Sequence, residues 1–148
     1  MKRFSYARGR IEETLQFITQ EMEEFDREYG DKTSEDYYSD RKLQKLMDKT
    51  VEDILTALIE LSGTLLVQKG KRVESYRQIL REAALVYGLD REKAEELSHL
   101  AIERNRIVHR YLDIRWDSIR EYRERIPLIR EFLRRVWQER KDGLSGNS

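Results

Sequence analysis

The chain contains no cysteine, one proline, two histidines and seven glycines among its 148 residues. Without cysteine there are no disulfides, no thiolate nucleophiles and no zinc sites built on sulfur, and a reducing compartment is the natural setting. Two histidines cannot make a His-rich metal site, and neither a metal nor an organic cofactor is expected. The longest strongly apolar stretch, Ile54 to Val67, is interrupted by Glu60 and is too short to span a bilayer. Met1 to Ser5 lack the apolar core of a signal peptide. The expected address is the cytoplasm, with no membrane partner.

What is present is an even mixture of 39% apolar and 39% charged residues. That is too apolar for a disordered chain and too charged for a membrane protein. The length suits one domain, expected over 1–142, with a frayed tail over 143–148. Net charge is zero but unevenly spread: residues 104–148 hold 12 Lys+Arg against 7 Asp+Glu, and eleven of those cations are arginine. An arginine-rich terminal third suits phosphate binding, because guanidinium forks pair with phosphate oxygens bidentately. On charge alone, the plainer reading of a solvated, salt-bridged helix face outweighs it.

Hydrophobic periodicity gives five helical segments and no strand, hence an all-α antiparallel bundle of about five helices. Ile11, Leu15, Ile18, Met22, Phe25 and Tyr29 recur at helical spacing over Ser5 to Tyr29, and Asp31 to Ser39 reads as a polar connection. The longest segment, Asp40 to Lys69, carries the stripe Leu43, Met47, Val51, Ile54, Leu58, Leu61 and Leu65. Ile59, Gly63 and Val67 fall on a second side beside Thr56, so this helix is expected to be covered twice, the second time by another copy of the chain. Ser75 and Asp90 are expected N-caps of two further helices, and Gly70 and Gly88 the expected stops before them. A last helical stretch, Asp117 to Lys141, is broken or restarted at Pro127.

The fourth helix, Arg91 to Tyr111, breaks its own pattern. With Arg104 at zero on a wheel of about 100° per residue, Leu97, Leu100, Ala101, Ile107, Val108 and Tyr111 all fall within about 60° of it. An arginine at the centre of an apolar stripe needs a carboxylate partner or an opening into a cleft, since an unpaired buried guanidinium costs several kcal/mol. An isolated arginine of this kind is ordinarily an ion pair or a snorkelling side chain. Here Asn105 and His109 stand next to it, at about 100° and about 140°, and a histidine exchanges protons near neutral pH. One such pair converges poorly, whereas two copies of the helix about a twofold axis bring both pairs to one groove. A composite site at a homodimer interface is the expectation.

The run Arg104-Asn105-Arg106-Ile107-Val108-His109-Arg110-Tyr111 resembles the Arg-x4–6-His signature of the HEPN superfamily, in the extended form of its HepT-like branch. Further similarity lies in Tyr38-Ser39-Asp40-Arg41-Lys42-Leu43-Gln44, Leu61-Ser62-Gly63-Thr64-Leu65, Ser75-Tyr76-Arg77, Tyr111-Leu112-Asp113 and Ile126-Pro127. Relatives commonly carry an acid in the apolar middle of the long helix. The corresponding region here is Leu55 to Glu60, and the charge partner of Arg104 is left open between Glu60 and other groups.

The resemblance implies metal-independent RNA cleavage by attack of the ribose 2′-hydroxyl. It assigns proton transfer to His109, phosphorane stabilisation to Arg104 and orientation to Asn105. Arg106, Arg110 and Arg115 are candidate contacts to flanking phosphates, with surface ion pairs an equal alternative for each. The resemblance also implies a minimal nucleotidyltransferase antitoxin as partner, which would adenylylate Tyr111 and so block the groove with negative charge. The competing expectations are a non-catalytic helical module that docks a nucleotidyltransferase and a nucleotide or RNA, and a purely structural dimeric bundle.

Overall fold

The structure is a computed structural model that describes residues 2–109 and 115–145, with side chains over 10–109 and 115–143. Seven helices and no strand are found among the described residues: α1 (Lys2–Tyr29), α2 (Ser34–Ser39), α3 (Arg41–Gln68), α4 (Tyr76–Val86), α5 (Arg91–Val108), α6 (Arg115–Glu124) and α7 (Ile126–Ser145). The all-α bundle read from the sequence is the fold observed.

Helix α3 is the spine and touches α1, α2, α4, α5 and α6. Its stripe of Met47, Val51, Ile54, Leu58, Leu61 and Leu65 is buried, and Leu43 packs half-buried against the core. From α1 it receives Ile11, Leu15, Ile18, Met22 and Phe25, from α4 Leu80, Ala83 and Ala84, and from α5 Leu97, Leu100 and Ala101. Each Val, Leu, Ile, Met or Phe side chain removed from water in this way stabilises the fold by about 1.5–3 kcal/mol. The second side of α3 is divided. Ile59 is buried within the protomer, Gly63 is half-buried, and Val67 is 72% exposed.

The helix ends follow local chemistry. Asp40 caps α3 by accepting from the Lys42 and Leu43 amides, Ser75 caps α4 through the Gln78 amide, and Asp90 caps α5 through the Lys93 amide. Gly70 and Gly88 adopt φ of 71° and 86°, the left-handed turn that closes a helix C-terminus and favours glycine.

One feature departs from expectation and another refines it. The polar connection after α1 contains α2, held by a capping box in which the Thr33 hydroxyl accepts from the Asp36 amide and the Asp36 carboxylate accepts from the Thr33 amide. The last stretch is two helices, parted at Arg125, and Pro127 sits in the first turn of α7, where its missing N–H costs no hydrogen bond. Helix α7 runs to Ser145, into the segment expected as a tail, and 146–148 lie outside the described residues. No described helix is long and apolar enough to cross a membrane.

Candidate active site

Arg104 emerges from the core side of α5 between α3 and α4. Its neighbours Ala101 and Ile107 are buried, whereas Arg104 itself is half-buried and lines a cleft of about 630 Å³. Of the two solutions open to an arginine on an apolar stripe, the chain uses the cleft. Nε donates to Thr56 Oγ1 of α3 at 3.2 Å, Nη1 donates to Asn105 Oδ1 at 3.3 Å, and the guanidinium lies 5.5 Å from the centre of the Tyr76 ring. Among the described residues no carboxylate oxygen lies within 4.0 Å of it. Glu60, in the region where relatives carry an acid, is exposed on the cleft wall and makes no ion pair with Arg104. Two neutral oxygens and an aromatic face orient the cation without cancelling its charge.

Asn105 connects Arg104 to His109. Its amide oxygen accepts from the guanidinium, and its backbone carbonyl accepts from the His109 N–H at 2.9 Å. His109 is the C-cap of α5 and is exposed. The cleft lining includes Arg104 but neither Asn105 nor His109, in keeping with the wide angle between them on the helix wheel. Within one protomer the Arg104 and His109 side chains therefore leave α5 toward different sides.

The other sequence-derived candidates are placed differently. Arg106 pairs with the buried Glu103 at 3.0 Å. Arg115, at the start of α6, pairs with Asp48 of α3 at 2.9 Å, and both side chains are largely enclosed. Arg110 and Tyr111 lie outside the described residues. Among the described residues no group of three or more His, Asp or Glu side chains is placed to share a metal ion.

Three contributors escaped sequence reasoning. Thr56 and Tyr76 orient Arg104 from helices 48 and 28 positions away, and neither residue type is marked by periodicity. Asp48 is 8% exposed, and besides Arg115 it accepts from the Tyr37 hydroxyl at 2.6 Å. Burial and this carboxylate together push the Tyr37 phenol well above its ordinary value. The sequence did carry a signal for Asp48: it shares a heptad position of α3 with the buried Leu55 and Ser62.

A helical bundle with an arginine opening from a core helix and a histidine closing that helix defines a HEPN-type domain. The chain belongs to the HepT-like family, described as ribonuclease HepT-like, whose family model matches residues 18–136. No curated protein and no solved structure matches the chain.

Proposed function

We propose that the chain is the ribonuclease toxin of a toxin–antitoxin pair, cutting RNA without a metal at a groove formed between two copies of α5. The observation that carries this reading is the Arg104 guanidinium, held in a cleft by Thr56, Asn105 and Tyr76 and, among the described residues, by no carboxylate. A structural arginine on a core helix would be expected to meet an acid, as Arg106 and Arg115 do. A cation fixed by neutral groups keeps its charge for an incoming anion, which is the preorganisation that a phosphoryl transition state needs.

In the proposed reaction the ribose 2′-oxygen attacks the adjacent phosphorus while the bond to the 5′-oxygen breaks. His109 takes the proton of the 2′-hydroxyl, a proton is returned to the 5′-oxygen, and a 2′,3′-cyclic phosphate remains. Arg104 neutralises the crowded phosphorane, and Asn105 holds the guanidinium in register. Proton transfer of this kind contributes about 10²–10⁴-fold. Arg110, outside the described residues, would be a further contact to a flanking phosphate. Arg106 and Arg115 would do so only by sharing guanidinium donors with the carboxylates they already hold.

A homodimer is supported by the divergence of Arg104 and His109 within one protomer and by the exposed Val67 on the face of α3 that carries Thr56. The partner fitting this reading is a minimal nucleotidyltransferase that adenylylates Tyr111, adding bulk and negative charge where RNA must lie.

The test is incubation of purified, unmodified protein with tRNA and mRNA in the presence of EDTA. Cleavage by wild type, lost in both Arg104→Ala and His109→Ala with helical content intact, is the expected result. Intact RNA with wild type would favour a binding module that docks a nucleotidyltransferase without cutting.

A further inference from the structure

A second cleft, of about 750 Å³, lies along the N-terminal half of α3. Its walls carry Arg41, Lys45 and Lys49 of α3, Arg115 of α6 and the ring of Tyr38. The acids in the same walls are Asp48, which already holds Arg115 and Tyr37, and Glu52. Arg41, Lys45 and Lys49 are all exposed. Lys49 pairs with Asp53 at 3.1 Å, whereas Arg41 and Lys45 have no carboxylate within 4.0 Å among the described residues.

The three cations recur every four residues and so form one stripe, each about 6 Å further along the helix than the last. The stripe has a definite relation to Arg104. Taking Thr56 as zero on the wheel of α3, Lys49 falls at about 20°, Lys45 at about 340° and Arg41 at about 300°. All three therefore share the face that presents Thr56, and Thr56 receives the Arg104 hydrogen bond. Lys49 stands about 10 Å and Arg41 about 22 Å from Thr56 along the axis. The cationic part of this face ends at Lys49: Glu52 and Asp53, at about 320° and about 60°, stand between it and Thr56, and the exposed Glu60, at about 40°, follows Thr56. Further C-terminal, the same face carries Gly63 and Val67 at about 340° and about 20°.

We propose that Arg41, Lys45 and Lys49 form a backbone track for single-stranded RNA, leading the chain out of the Arg104 groove along α3, with Tyr38 as a stacking platform for an unpaired base. The inference rests on RNA being the substrate of the Arg104 site, and it adds the residues and the strandedness of that substrate. A line of separated cations follows a phosphate backbone and reads no sequence. An exposed aromatic beside it is the usual companion in single-strand binding, because any base can stack on it. The Tyr38 ring is 55% exposed and is steadied edge-on against Tyr37 at 5.2 Å between centres. Tyr37 is in turn fixed to Asp48, so the platform is built on a buried network.

The test is fluorescence anisotropy with a 20-nucleotide single strand made uncleavable by 2′-O-methylation, using the full chain. For Arg41→Glu/Lys45→Glu the dissociation constant is expected to rise at least tenfold. The slope of log affinity against log salt should fall by roughly 1.4, about 0.7 for each phosphate contact removed from a single strand. Tyr38→Ala should weaken binding about fivefold or more. Both cations are exposed, and a Glu at the first position of α3 suits the helix dipole; Arg41→Gln/Lys45→Gln, with half or more of the effect, guards against a folding artefact. Binding within twofold of wild type and an unchanged salt slope in both double variants would overturn the track, as would a double variant that loses only an acidic protein partner. Because the probe cannot be cut, the outcome is separate from the nuclease reading, which is tested by cleavage of ordinary RNA.

Discussion

Arg104 of α5 is anchored to α3 by the Thr56 hydroxyl at 3.2 Å, a neutral oxygen where a buried cation would ordinarily meet a carboxylate. Among the described residues no carboxylate pairs with this arginine, whose charge is held by the neutral oxygens of Thr56 and Asn105. The account of function turns on that charge.

Thr56→Val removes the acceptor and leaves the shape of the site almost unchanged. A hydrogen bond to a charged group contributes about 1.5–3 kcal/mol, and if that is expressed in the transition state kcat for RNA cleavage falls roughly 10- to 100-fold. Thr56→Ser keeps the oxygen and should recover most of the rate. Single-turnover kinetics of the two variants checks this, with KM expected to move less than kcat.

Asp48 holds both Arg115 and Tyr37 from within α3. Asp48→Ala leaves a largely enclosed guanidinium without this partner and should cost about 3–5 kcal/mol of stability. Urea denaturation read by circular dichroism measures it. Arg106→Ala leaves the buried Glu103 carboxylate without this ion-pair partner and should likewise destabilise the fold.

Much of this architecture was legible from neighbours in sequence. The stripes of α1 and α3 and the caps at Ser75 and Asp90 depend on residues three or four positions apart, and all of them appear in the structure. Helix α2 was missed because Tyr37 is its buried anchor, and that burial comes from Asp48 across the fold. Its Thr33-x-x-Asp36 capping box was the local signal available. Arg104 stood out as an anomaly because a charge on an apolar stripe violates a local rule. Its partner did not stand out, because a threonine 48 residues away is an ordinary helix residue until the fold brings it near. The arginine-rich C-terminal third is in good part salt-bridged, Arg125 to Glu96 and Glu121, Arg130 to Asp26 and Arg140 to Glu12. That agrees with the plainer reading of its charge.

Tyr37, Tyr87 and Tyr122 are buried, and burial is the first cause that raises each phenol above its ordinary value. The folded chain holds these protons more tightly than the unfolded chain, so their contribution is complete below about pH 10 and is lost as pH rises beyond it. Each should lower stability by at most about 1.4 kcal/mol per pH unit above that point. Urea midpoints between pH 9 and pH 11.5 should fall steeply. The Tyr122 hydroxyl has no hydrogen-bond partner among the described residues. Tyr122→Phe should therefore shallow the alkaline fall and raise stability at neutral pH by about 1 kcal/mol.

Val67 is 72% exposed on the face of α3 that carries Thr56. If a second copy covers it, Val67→Glu should shift sedimentation equilibrium from dimer toward monomer without lowering helical content. A monomer–dimer balance unchanged by this variant would place the interface elsewhere.

The most direct measurement is the single-turnover rate of cutting one mapped RNA in EDTA, with product ends identified, for wild type, Arg104→Ala and His109→Ala. The account predicts 2′,3′-cyclic phosphate ends from wild type and a loss of at least about 10²-fold in each variant. Either variant cutting within a few-fold of wild type, with its fold intact, would contradict it.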